Sequence, residues 1–113
     1  MPRFVILEHD YPELHWDFML ENGNDLCTWK LRQKPNELLA QHIQQGKINL
    51  KAAPSTPHRL IYLDYEGPVS NGRGFVKRFD YGSFEWIEQN EKEVLINLQG
   101  QKFNGLVKLS IAD

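Results

Sequence analysis

Apolar and polar positions along the chain mark out a succession of short strands. Residues 3–8 hold the unbroken apolar run Phe4-Val5-Ile6-Leu7 and read as a buried strand. Asp10-Tyr11-Pro12-Glu13 is turn chemistry. Residues 14–21 then alternate, with Leu14, Trp16, Phe18 and Leu20 on one face and His15, Asp17, Met19 and Glu21 on the other. Asn22-Gly23-Asn24-Asp25 predicts a hairpin turn into a third strand over 26–32. A short helix is expected next, capped by Asn36, with Leu38, Leu39, His42 and Ile43 at helical spacing and Gly46 as its stop. Residues 48–51 predict a brief strand, 53–57 a loop, 59–65 a further strand and 67–74 a glycine-rich loop. Strands over 74–79, 83–89, 94–98 and 102–111 complete a meander, with turns at Asn90-Glu91 and Gly100-Gln101.

The expected fold is therefore mainly β: one compact domain over 1–113, an antiparallel β-barrel of about eight short strands with one short helix. A barrel also removes exposed sheet edges. The expected core is Phe4, Ile6, Trp16, Phe18, Leu20, Trp29, Ile61, Phe75, Phe84, Trp86, Ile96, Leu98, Val107, Leu109 and Ile111.

Composition adds limits. With 113 residues there is room for one core and none for a ligase, polymerase or dinucleotide-binding fold beside it. No apolar run is long enough to span a bilayer as a helix, so no membrane role is expected. A single cysteine, Cys27, fits a reducing cytoplasm and has no histidine at a spacing that would make it a nucleophile. The net charge of −2 conceals a basic stretch over 26–63, with Lys30, Arg32, Lys34, Lys47, Lys51 and Arg59 against Glu37. Such a stretch can face a polyanion, although a solvated mixed surface explains it as well.

Two groups of residues carry candidate chemistry. His9, His15 and Asp17 form H-x5-H-x-D. His15 and Asp17 are two apart on a strand and share a face, and a hairpin would return His9 beside His15. Two imidazoles and a carboxylate are a ligand set for manganese, iron or zinc, or else a polar strand face. His58 and Tyr62, flanking Arg59, would share a face if 59–65 is a strand, and could then hold a phosphate and move a proton. The alternative makes Tyr62 a core aromatic. His42 reads as structural. Arg73, between Gly72 and Gly74, could wrap a phosphate from a loop that precedes no helix.

Taken in order, these motifs resemble the 3′-phosphoesterase module of bacterial DNA ligase D. That family carries H-x5-H-[YF]-D-x-R-L-E, which here reads His9 through His15-Trp16-Asp17-Phe18-Met19-Leu20-Glu21. Its L-x-S-W corresponds to Leu26-Cys27-Thr28-Trp29, and its H-P-L-x-Y to His58-Arg59-Leu60-Ile61-Tyr62. Its D-[YF]-E-G and glycine loop correspond to Asp64-Tyr65-Glu66-Gly67 and Gly72-Arg73-Gly74. Its D-x-G-x-[WY] corresponds to Asp80-Tyr81-Gly82-Ser83-Phe84.

The resemblance implies a metal-dependent enzyme that trims DNA 3′ ends, removing a 3′-phosphate or a terminal ribonucleotide in end joining. It implies manganese at His9, His15 and Asp17, with zinc or another divalent transition metal as alternatives. It implies phosphate contacts from His58 and Tyr62. DNA 3′ ends, in primer-template or duplex form, are then the expected partner, with ligase and polymerase as separate proteins. One departure stands out: the family arginine two residues after the metal aspartate is Met19 here. Arg59 and Arg73 are the candidates to replace its charge. The competing expectation is a weak or inactive module of the same fold that only binds DNA ends.

Overall fold

The computed structural model describes residues 1–35, 43–44 and 47–111. The strands are β1 (Arg3–His9), β2 (His15–Asn22), β3 (Asp25–Leu31), β4 (Ile43–Gln44), β5 (Lys47–Arg59), β6 (Gly67–Pro68), β7 (Phe75–Gln89), β8 (Glu93–Gly100) and β9 (Asn104–Ile111). A 3-10 turn, Leu60–Leu63, follows β5. Of the helix expected between Asn36 and Gly46, only Ile43 and Gln44 lie among the described residues, and they form β4, paired with β5. The rest of that segment, including His42, lies outside the described residues. Among those described, no helix is long and apolar enough to cross a membrane.

The sheet closes on itself. Its order is β1-β2-β3-β5-β9-β8-β7, and β7 pairs again with β1. Among the described residues every pairing is antiparallel except β5 with β9, which is parallel and corrects the all-antiparallel expectation. Topology requires it: a closed ring with an odd number of strands cannot alternate direction throughout.

Two long strands replace expected pairs of short ones. The first half of β5 pairs with β9 and the second half with β3. Pro54 and Pro57 suggested a loop, but they lie in the half that has left β9, an edge where a missing N–H is tolerated. Within β7, Gly82 marks close backbone approach instead of a break. A Cβ there would lie 2.1 Å from the Gln99 carbonyl oxygen. The strand expected over 59–65 is instead the end of β5 followed by the 3-10 turn.

Side chains on the inner face of the ring form the main core around Phe4, Ile6, Trp16, Phe18, Leu20, Trp29, Phe84, Ile96, Leu98, Val107 and Leu109. Trp86 is partly buried against it. Ile61, Phe75 and Ile111 do not join it; they are 58%, 61% and 39% exposed. A second cluster lies on the outer face: Val5, Leu7, Met19, Leu26, Leu63 and Val76, with Leu60, Tyr62, Tyr65 and Val69 packed against it. It attaches the 3-10 turn and the following loop to β1 and β2. An ion pair pins the same segment, with Arg3 Nη2 2.6 Å and Nη1 3.2 Å from the Asp64 carboxylate. The hydrogen bonds from Arg3 hold the Asp64 carboxyl below its usual range.

Candidate active site

The β1–β2 register builds the first half of the site. His9 pairs directly with His15, Leu7 with Asp17 and Val5 with Met19. Directly opposed residues project to the same face, so all six lie on the outer side of the ring. The His9 and His15 rings stand 5.0 Å apart, centroid to centroid. His9, His15 and Asp17 each offer a ligand atom, and these atoms lie within 4.8 Å of one another. His15 and Asp17 are buried and His9 is half-buried.

Backbone carbonyls decide which nitrogens are free. His15 Nδ1–H donates to the Glu13 carbonyl at 2.8 Å, which leaves Nε2 as the lone pair. His9 Nε2–H donates to the Arg73 carbonyl at 2.8 Å, which leaves Nδ1. A ligating imidazole ordinarily has its second N–H held in this way. His15 Nε2 lies 3.2 Å from Asp17 Oδ2. Both atoms are electron-rich in that tautomer, so the contact closes only with a proton or a metal ion between them. The donor set fits a divalent transition metal with open positions.

The second half of the site comes from the other side of a cleft of about 190 Å³. Its walls carry His9, Asp17 and Met19 from the hairpin, His58 from the end of β5, Tyr62 from the 3-10 turn, and Val69 and Arg73 from the loop. His58 and Tyr62 come together, with ring centroids 6.0 Å apart and planes at 75°. The expectation that they meet holds, but a strand end and a turn bring it about, not a shared strand face. His58 Nδ1–H donates to the Thr56 carbonyl at 2.9 Å and lies 3.1 Å from Thr28 Oγ1. Thr28 spends its own proton on the Leu26 carbonyl at 3.0 Å, so it receives from His58. His58 Nε2 is thereby the nitrogen free for a ligand.

The two arginines separate. Arg73 lines the cleft, with its guanidinium bonded to the carbonyl and hydroxyl of Ser70 at 3.0 and 3.3 Å. Arg59 lies beyond Tyr62, in an adjoining depression with Ile61, Tyr65 and Ser70. Gly74 closes the loop onto the hairpin. At φ +77 it adopts the left-handed region, and a Cβ would lie 2.2 Å from Asp10 Oδ1. That oxygen accepts from the Phe75 N–H at 2.8 Å.

Sequence reasoning missed Thr28 and Lys30. Thr28 orients His58, and Lys30 is the direct cross-strand partner of Asp17 on the same face. The signal was present: counting back from the hairpin at Asn22 and Asp25, which are paired, sets Lys30 opposite Asp17 and Thr28 opposite Met19. Asp80 is structural. Its buried carboxylate accepts the N–H groups of Gln101, Lys102 and Phe103 at 2.9, 3.0 and 3.1 Å, closing the β8–β9 turn.

Known proteins share this chain's pattern. A family model described as the DNA ligase D 3′-phosphoesterase domain matches residues 7–110. The multifunctional non-homologous end joining protein LigD of Mycobacterium bovis is 28% identical over 110 residues, covering 90% of this chain and 13% of that protein. The LigD of Mycolicibacterium smegmatis is 26% identical over 117 residues, covering 91% and 14%. The LigD of Pseudomonas aeruginosa is 25% identical over 111 residues, covering 91% and 12%. The chain therefore spans about an eighth of the length of these relatives.

Proposed function

The chain belongs to the DNA ligase D 3′-phosphoesterase family, and from that premise we propose that it is a metal-dependent phosphoesterase that processes the 3′ ends of DNA. Its substrates would be ends blocked by a 3′-phosphate or a terminal ribonucleotide, and its product a 3′-hydroxyl for a separate polymerase or ligase. The observation that carries this reading is the convergence of His9, His15 and Asp17 on the cleft that also holds His58 and Tyr62.

His9 Nδ1, His15 Nε2 and Asp17 would hold a divalent metal, for which we propose manganese. Bound there, such an ion supplies Lewis acidity toward a phosphate oxygen and a water. The chain's own residues do the remainder. His58, with Nδ1 tied to Thr56 and Thr28, presents Nε2 to hold a phosphate oxygen or pass a proton to the leaving oxygen. The Tyr62 hydroxyl and Arg73 supply donors where charge develops. Leu7, Val69 and Val76 give the cleft apolar walls that limit water.

A second reading, an end-binding module with little turnover, draws on Met19. It occupies the cleft floor, 1% exposed, and offers no charge to a phosphate.

Metal-stripped protein incubated with primer-templates ending in a 3′-phosphate or a single ribonucleotide, with and without manganese, separates the two. The expected result is manganese-dependent product that His15→Ala abolishes. DNA and metal binding without product would leave the binding module.

A further inference from the structure

We propose that the depression beyond Tyr62 is a subsite for the nucleotide immediately inside the 3′ end, with its base against Tyr62 and Tyr65 and its phosphate on Arg59. The proposal rests on the reading of the main cleft as a 3′-end-processing site and specifies how the strand leaves it.

The two cavities are neighbours that share Tyr62 and Val69 as a common wall. The second, about 210 Å³, has a different chemistry from the first. Among the described residues its lining includes no histidine and no carboxylate. It combines one cation, Arg59, with the hydroxyl of Ser70 and the apolar or aromatic surfaces of Ile61, Tyr62 and Tyr65. A nucleotide needs that combination: a π-face for the base and a guanidinium for the phosphate.

The rings are fixed in place. Tyr62 meets His58 on one side and Tyr65 on the other, each at 6.0 Å between centroids. The Tyr65 hydroxyl donates to the Pro68 carbonyl, which holds that ring as a wall. Arg59 lies 5.9 Å from the Tyr62 ring centroid. Asp64, the acid nearest in sequence, is engaged by Arg3 and Arg78, and Asp25, the cross-strand partner of Arg59, forms no ion pair with it among the described residues. Ile61 is 58% exposed at this spot, and the burial of the turn through Leu60 and Leu63 leaves it free for a ligand.

Electrostatics sets the direction. The β1–β2 turn and the adjoining Phe75 also expose apolar groups, Tyr11, Leu14 and Phe75, but that turn carries Asp10 and Glu13 and no cation. A polyanion leaving the cleft is repelled there and attracted toward Arg59.

The test measures how affinity changes with length. Thymidine 3′-phosphate and the thymidine dinucleotide ending in a 3′-phosphate are titrated into wild type, Arg59→Ala and Ile61→Asp in EDTA, by calorimetry. Both substituted side chains are exposed, and melting curves check that the variants fold. Adding the second nucleotide should tighten binding to wild type about tenfold, and the gain should fall below about twofold in each variant. An undiminished gain in the variants, or none in wild type that binds the mononucleotide, overturns the subsite alone. Wild type that binds neither compound in EDTA is titrated again with manganese, where the same comparison of gains applies; the absence there of both binding and turnover of either compound overturns the end-processing reading and the subsite with it.

Discussion

His15 Nε2 faces Asp17 Oδ2 across 3.2 Å in a buried position, while His15 Nδ1–H is committed to the Glu13 carbonyl. A proton or a metal ion between the two atoms would complete the pair. Saturating manganese at a hundredfold excess over its Kd should stabilise the protein by about 2.7 kcal/mol, a rise in Tm of roughly 8–15 °C. Asp17→Asn should weaken metal binding by about a hundredfold and remove the rise. Melting curves with and without manganese, for both proteins, check this.

Thr28 acts through His58. Thr28→Val keeps the shape of the side chain but removes the oxygen 3.1 Å from His58 Nδ1. The Thr56 carbonyl still holds that nitrogen, so the tautomer persists while the ring gains freedom. One lost hydrogen bond is worth about 1 kcal/mol, so turnover of a 3′-phosphorylated end should fall about fivefold with metal affinity unchanged. His58→Ala should lose far more. A Thr28→Val enzyme with wild-type kcat would remove Thr28 from the site.

What was legible in the chain, and what was not, follows from the physics of each segment. The strict alternation of 14–21 and the Asn-Gly turn made the β2–β3 register legible, and the short turn at residues 10–13 returned His9 beside His15 and Asp17. Phe4, Phe18, Phe84 and Leu109 were legible as core for the same reason. Ile61 and Phe75 were not, because hydrophobicity alone cannot separate a residue facing the core from one on a covering segment. Met19 was read as outward-facing and is nevertheless buried, since the 3-10 turn and loop lie over that face. That covering layer is a long-range contact with no local signature, so the second cluster and the placement of Arg59 had to come from the structure. The odd-stranded closure, with its one parallel pair, was hidden in the same way.

Asp80 should matter to stability and not to the site. Its carboxylate takes three backbone N–H groups from the β8–β9 turn while only 1% exposed. Asp80→Ala leaves those donors without it, and each bond to a charged group is worth about 1.5–3 kcal/mol. A loss of roughly 3 kcal/mol or more in urea unfolding is expected, with manganese affinity of the folded variant unaltered.

The Arg3–Asp64 pair gives a pH signature. Asp64 has its folded pKa held down by hydrogen bonds from Arg3, so its contribution is present above the unfolded aspartate value and is lost as the pH falls through the folded one. Asp64→Asn should melt below wild type at pH 7, by a small margin because the carboxylate is exposed. The two curves should converge in strong acid. A gap that persists at pH 2 would point to packing instead of charge.

Met19→Arg sets two effects of opposite sign against each other. Met19 packs with Val5, Leu7 and Leu26 under the 3-10 turn, and it also forms part of the cleft floor. A guanidinium there lacks an ion partner from the second cluster, so stability should fall by about 1–3 kcal/mol. The same group, reaching up between Asp17 and His58, would meet a phosphate with paired donors that methionine cannot offer. Turnover of 3′-phosphorylated ends should therefore rise about tenfold even as Tm drops. A fall in both would mean that the floor position serves packing alone in this chain, and that Lys30, opposite Asp17, or Arg73 already supplies the charge.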